Sequence, residues 1–202
     1  MATLATTAST LTRLRVPPCA AVSLVIFSAI DHVWTDDDGI APEARGAVGA
    51  LVSRGVPLVI ISQRDAAAVL RLQAGLGIAH PFVCSGGAAL YVPAGYFPEL
   101  TRIGRVVDGW NVVEFKAPQD TAPAVRLLLS LYKLCGGQDA TIVALGATWQ
   151  DRFLMHEADA AAIVASGTSD EGRLRESLPS AYVTLAHGAA GWSEAILGSV
   201  QE

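Results

Sequence analysis

The apolar run Leu24-Val25-Ile26-Phe27 leads through Ser28-Ala29-Ile30 to Asp31-His32, and soon after to Asp36-Asp37-Asp38. Carboxylates just past an apolar strand can move protons, attack an electrophile, or hold a hard divalent cation through oxygen. Asp31 is the acid nearest the strand, and Ala29 before it has no side-chain chemistry. The Asp36–Asp38 run is either a cation site or a solvated turn ahead of the helix that Pro42 opens. His32 reads as a surface or capping histidine.

Two further stretches carry usable groups. Ser62-Gln63-Arg64 follows the apolar run Val59-Ile60-Ile61. A serine there can donate to an anion beside helix-start amides, with Arg64 adding positive charge, or it can simply cap the next helix. Gly146-Ala147-Thr148-Trp149-Gln150-Asp151 follows another apolar run. Thr148 fits a cap, and Asp151 a first-turn acid facing the positive end of the helix dipole. The Gly-x-Ser-x-Gly nucleophile elbow is absent, and neither a Ser-His-Asp nor a Cys-His set is legible. Cys19, Cys84 and Cys135 lack both a disulfide-framework count and metal-ligand spacing. They read as separate thiols in a reducing cytoplasm.

The elements that must hold these residues alternate along the chain. Ser23 to Ile30, Val56 to Ile61, Pro81 to Cys84, Thr141 to Leu145, Ala161 to Val164 and Ala181 to Leu185 are short apolar runs with strand character. Pro42 to Arg54, Asp65 to Leu76, Ala122 to Leu134, Asp151 to Ala158 and Gly191 to Gly198 read as helices, and Leu174 to Ser177 as a weaker helical turn. Gly55 and Gly77 stand where a left-handed residue stops a helix. Ser85-Gly86-Gly87 turns into Ala88 to Val92, with Pro93-Ala94-Gly95 fitting the end of a hairpin, and Val106 to Phe115 alternates. Strands alternating with helices predict an α/β fold, a doubly wound parallel sheet. Ligands of such sheets bind beyond the carboxyl ends of the strands, where Asp31, Ser62, Ser85 to Gly87 and Asp151 would stand.

Hydrophobic residues make up 51% of the 202, enough for a sizeable core. The expected organisation is a flexible N-terminal tail over 1–21 and one core domain over 22–202, with a short insert at about 98–120. The tail carries Arg13 and Arg15 after its Ala/Thr/Ser-rich start, the reverse of a secretory signal's order. A net charge of -5 without a Lys/Arg stripe argues against nucleic acid, and no apolar stretch reaches membrane-spanning length. The expected location is cytoplasmic.

The order of these loops resembles the haloacid dehalogenase-like superfamily, in its Cof-like branch, and within it the mannosyl-3-phosphoglycerate phosphatase group. Pro81-Phe82-Val83-Cys84-Ser85-Gly86-Gly87-Ala88-Ala89-Leu90-Tyr91, with Gly95-Tyr96-Phe97, is similar to that group's Pro-Phe…Asn-Gly-Ala-Ala-Ile-Tyr…Gly-Tyr-Phe segment. Ala124 to Tyr132 resembles its Ala-Val…Leu-x-x-Tyr helix, and Leu185 to Leu197 with Gly191-Trp192 resembles its C-terminal end. The resemblance implies a Rossmann-like core and Mg²⁺-dependent phosphoryl transfer through an attacking Asp.

Carried over by position, the attacking Asp falls on Ala29, and the acid/base on Asp31. Phosphate binding falls on Ser62, with Gln63 and Arg64 beside it. The family's Lys falls near Thr121, its Asn on Gly86, its first metal acid on Ala147 and its second on Asp151, leaving Asp31 and Asp151 as the acids for a metal. The family's cap domain has no room here, being absent or reduced to a short hairpin over 98–120. The expectation is a phosphatase homologue that has lost catalysis and acts by binding a sugar phosphate or a protein, with oligomers allowed. One alternative is an active Mg²⁺-dependent phosphoric-ester hydrolase with a rebuilt site, using Asp31 or Asp36–Asp38. Another is a non-catalytic subunit of a complex.

Overall fold

A computed structural model describes residues 22–31, 33–36, 39–98, 100, 104–116, 120–136 and 140–200. The N-terminal tail, Cys19, His32, Asp37 and Asp38 lie outside the described residues. In chain order the elements begin β1 (Leu24–Ala29), β2 (Thr35–Asp36), β3 (Gly39–Ile40), α1 (Pro42–Arg54), β4 (Leu58–Ile61), α2 (Ala66–Leu76), β5 (Phe82–Cys84) and β6 (Ala89–Pro93). They continue with β7 (Arg105–Val107), β8 (Trp110–Glu114), α3 (Ala122–Gly136), β9 (Thr141–Gly146), α4 (Arg152–Glu157), β10 (Ala160–Ala165), α5 (Ser169–Ser177), β11 (Tyr182–His187) and α6 (Gly188–Ser199). Two compact units result, one of Leu24–Val59 with the chain from Thr141 onward, the other holding Ile60–Ala140.

In the first unit β1, β9, β10 and β11 are parallel neighbours in the order β11-β10-β9-β1. The backbone N–H of Ile26 donates to Pro57 O at 2.9 Å, tying β1 to the residue that leads into β4. Val25, Ile26 and Phe27 are wholly buried, as are Ile142, Ala144 and Leu145 of β9. A strand covered on both faces needs an unbroken apolar run, which is why these segments do not alternate.

The helix α1 matches its sequence bounds. Pro42 opens it, and Gly55 closes it at φ 66° with its N–H turned back on Leu51 and Val52 carbonyls. The turn anticipated at Leu174 to Ser177 is instead the full helix α5. Leu174 is its one buried residue, so apolar periodicity could not reveal it. Its start is held by polar groups: the Glu171 carboxylate accepts from the backbone N–H of Ser166 and Gly167, both at 2.9 Å. That donation holds the Glu171 carboxyl down at about 2.

The second unit departs from an all-parallel sheet. Ile60 and Ile61 pair in parallel with Phe82 and Val83 of β5, but β5–β6, β6–β8 and β7–β8 are all antiparallel. Phe82 stands opposite Tyr91 with the rings stacked at 5.0 Å, and Trp110 meets both edge-on. This aromatic trio fixes the register that a short β5 could not fix alone. The segment anticipated as an insert at 98–120 contributes the β7–β8 hairpin.

Gly87, at φ 97°, closes the turn into β6; a Cβ there would lie 2.4 Å from the backbone O of Asp120. The entry to α3 therefore packs directly on the Gly87 backbone. Among the described residues, no helix is long and apolar enough to cross a membrane.

Candidate functional site

Ser28 of β1 stands opposite Leu145 of β9, so Ala29 and Gly146 follow side by side at the carboxyl ends of two parallel strands. Both alanines at these ends, Ala29 and Ala147, are buried, at 5% and 2% exposure. Asp31 is half-buried beyond β1. Past β9 a short turn over Trp149–Asp151 brings Asp151 back under the strand end. Its Oδ2 accepts from Ala147 N (3.0 Å), Thr148 N (2.9 Å) and Thr148 Oγ1 (2.9 Å). Residue 146 must be glycine, because a Cβ there would meet the Asp151 Cβ at 2.4 Å. Burial pushes the Asp151 carboxyl up, the Thr148 and Ala147 donors oppose this, and the nearby charge of Asp31 adds to the rise. Asp31 and Asp151 are thus brought together, and Asp151 closes a capping box rather than merely complementing a dipole.

The polar atoms at the end of β1 are satisfied by two indoles. The Trp34 Nε1–H donates to Ala29 O at 3.2 Å, and the Ser28 hydroxyl donates to the same carbonyl at 2.6 Å. The Trp192 Nε1–H donates to Ser28 Oγ at 2.8 Å. The two rings stack with centroids 5.0 Å apart, and both are almost fully buried. Nothing in the sequence singled out Ser28 or Trp34. A tryptophan so soon after a candidate catalytic strand was the one signal available, since buried indoles usually find an acceptor.

The β9 loop is also pinned on its outer side. Trp149 N donates to Asp170 Oδ2 at 2.9 Å, while the Arg152 and Arg173 guanidiniums lie over the Trp149 ring at 4.7 and 4.2 Å. These cation–π contacts fix the turn that carries Ala147 to Asp151.

The Ser62-Gln63-Arg64 loop belongs to the other unit. Ser62 is buried, and its Oγ accepts from Arg64 N at 3.0 Å. It does not cap α2: that cap is Asp65, whose Oδ1 accepts from Ala68 N at 2.7 Å. The loop backbone is tied to the next strand end, with Ser85 N donating to Arg64 O and Gly86 N to Ser62 O. The side chains of Gln63 and Arg64 are exposed. Gly86 sits at φ 64°, a left-handed conformation that Gly adopts freely and Asn adopts better than other residues. Gly86 therefore keeps the backbone that an Asn would take there. Cys84 is inert: burial pushes its thiol up to about 11, and Sγ donates weakly to Ala89 O.

Comparison with solved structures decides the fold. A haloacid dehalogenase-like hydrolase from Bacteroides thetaiotaomicron superposes with a TM-score of 0.60 at 12% identity, over 87% of this chain and 99% of that one. The chain has the haloacid dehalogenase-like fold. The sucrose-phosphatase of Synechocystis sp. PCC6803 gives a TM-score of 0.58 at 12% identity, over 88% of this chain and 98% of that one. A cobalt-bound deoxy-D-mannose-octulosonate 8-phosphate phosphatase from Haemophilus influenzae gives 0.53 at 16% identity, over 90% of each chain. No protein-family model matches. One curated relative, the glucosyl-3-phosphoglycerate/mannosyl-3-phosphoglycerate phosphatase of Persephonella marina, is 32% identical over 74 residues. The match takes in 36% of this chain and spans only 28% of that protein's length.

In the haloacid dehalogenase-like frame the positions that the resemblance assigns to the attacking Asp and the first metal acid are the buried methyls of Ala29 and Ala147. Among the described residues, the side chains at these strand ends do not fit the metal set that the resemblance implies. The Asp151 oxygen Oδ2 already takes three donors, and the alanines offer no side-chain oxygen. Among the described residues, no group of three or more His, Cys, Asp or Glu is placed to hold a metal ion.

Proposed function

We propose that this chain is a non-hydrolytic relative of the haloacid dehalogenase-like phosphatases, acting by binding a phosphate-bearing sugar ligand. The observation that carries the reading is the pair of buried alanines at the adjacent ends of β1 and β9. Covalent catalysis needs a nucleophile, and a methyl cannot attack phosphorus. The ligand class comes from the curated relative, named for glucosyl- and mannosyl-3-phosphoglycerate. In one unit Ser62, Gln63 and Arg64 are the groups proposed to meet a phosphate; in the other Asp31 is the retained acid.

The test is turnover of glucosyl- and mannosyl-3-phosphoglycerate by purified protein in Mg²⁺, beside Asp31→Ala. The reading expects no phosphate release by either protein, with saturable binding of the intact ester. Robust release that Asp31→Ala abolishes would overturn it in favour of a rebuilt hydrolase.

A further inference from the structure

Asp31 and Asp151 stand near one another at the ends of β1 and β9, and in a haloacid dehalogenase-like active site positions 29 and 147 would add two more carboxylates to them. Like charges gathered in a partly buried pocket repel strongly, so such a cluster needs a cation, a basic side chain or bound protons to stand. Here the two extra acids are both methyls, and both are buried. Removing one alone would leave three acids at the strand ends; only the pair of changes brings the number down to two. The Ala29 carbonyl and the Asp151 carboxylate are satisfied from within. The Ala29 carbonyl takes the Trp34 indole N–H and the Ser28 hydroxyl, and Asp151 takes three donors from residues 147 and 148. Among the described residues no cationic side chain is paired with Asp151. Its neighbours Arg152 and Arg173 lie over the Trp149 ring instead.

We propose that Ala29 and Ala147 are coupled charge removals that let the strand ends close without a divalent cation, and that restoring both carboxylates restores a cation requirement for folding stability. The proposal deepens the non-hydrolytic reading and rests on it. It differs from a simple loss of function in what it says about stability. The alanines relieve a like-charge repulsion at the strand ends, and reversing both would cost stability without metal.

The experiment is thermal unfolding of the full chain as wild type, Ala29→Asp/Ala147→Asp and Ala29→Asn/Ala147→Asn, each in excess EDTA and in excess MgCl₂. The Asn pair has nearly the same shape as the Asp pair without its charge, so it separates crowding from repulsion. The expected result is a wild-type Tm and an Asn-variant Tm that ignore MgCl₂. The Asp variant should melt several degrees below the Asn variant in EDTA and recover in a saturable way with MgCl₂. A wild-type Tm that rises saturably with MgCl₂ would overturn the proposal, as would Asp and Asn variants that melt together and ignore the metal. If the double Asp variant folds in neither condition, Ala29→Asp read against Ala29→Asn decides, and metal-blind behaviour there also overturns it. Hydrolysis by the wild type without metal would sink the non-hydrolytic reading and leave the metal-independence standing, so the two failures are distinct.

Discussion

Trp34 and Trp192 stack with their ring planes 21° apart, and each uses its indole N–H to hold the end of β1. The contact joins the loop after β1 to α6, elements of one unit that lie far apart in sequence. It also leaves the Ala29 carbonyl and the Ser28 hydroxyl satisfied without solvent or ligand.

Truncating Trp34 tests this closure. Trp34→Leu removes a buried ring, its stacking and one hydrogen bond, and should cost about 3–5 kcal/mol by chemical denaturation. Trp192→Phe keeps the stack but loses the donor to Ser28, and should cost about 1–2 kcal/mol. Near-ultraviolet circular dichroism from the paired indoles should vanish in both variants.

Asp151 is read as a cap, and this gives it a particular tolerance. Asp151→Asn retains one carbonyl oxygen for the same three donors and should change stability by less than about 1 kcal/mol. Asp151→Ala leaves those donors unpaired and should cost about 2–4 kcal/mol. Because the folded carboxyl is raised, the native state holds its proton longer than the unfolded chain. This contribution therefore declines as pH climbs from the ordinary 3.8 through the raised folded value, and Asp151→Asn should remove that slope in urea titrations.

His80 gives the opposite slope. Burial lowers its pKa from 6.5 to about 4, with Tyr96 Oη 3.4 Å from Nδ1 and Tyr132 Oη 3.0 Å from Tyr96. Between those values the unfolded chain binds a proton that the native state refuses, so stability is full above 6.5 and is lost as pH falls toward 4. The loss is at most about 3 kcal/mol, less to the extent that His80 keeps some contact with solvent. Denaturant midpoints from pH 7 to 4 should fall for the wild type and stay flatter for His80→Gln.

Two glycines with similar backbones should respond differently to alanine. Gly77 and Gly87 both have positive φ, but an added Cβ meets nothing within 4 Å at Gly77 and the Asp120 backbone at 2.4 Å at Gly87. Gly77→Ala should cost about 1–2 kcal/mol of conformational strain. Gly87→Ala must also displace the entry to α3, and its Tm should fall much further.

The sequence made the alternation of strands and helices legible because β1, β4 and β9 are buried on both faces and run apolar without interruption. Helix α1 was legible to the residue through Pro42 and Gly55. What hid α5 is that polar capping, with Leu174 as its lone buried residue, holds it in place of an apolar stripe. The antiparallel β6–β8–β7 stretch was visible only as hairpin fragments, since the register fixed by ring contacts between Phe82, Tyr91 and Trp110 is not a local pattern. At the site, the strand ends that carry Ala29, Asp31, Ala147 and Asp151 were legible as the ends of apolar runs, while the roles of these positions came from the family resemblance alone. The indole closure was not, because it depends on a partner from α6 that no local pattern names.

The most direct test is a single-turnover measurement with protein in excess over glucosyl-3-phosphoglycerate, in MgCl₂, counting phosphate released per ligand. A non-hydrolytic binder releases no more phosphate than buffer does, and the ester is recovered intact from the bound fraction. Stoichiometric release that disappears in Asp31→Ala would contradict the non-hydrolytic reading.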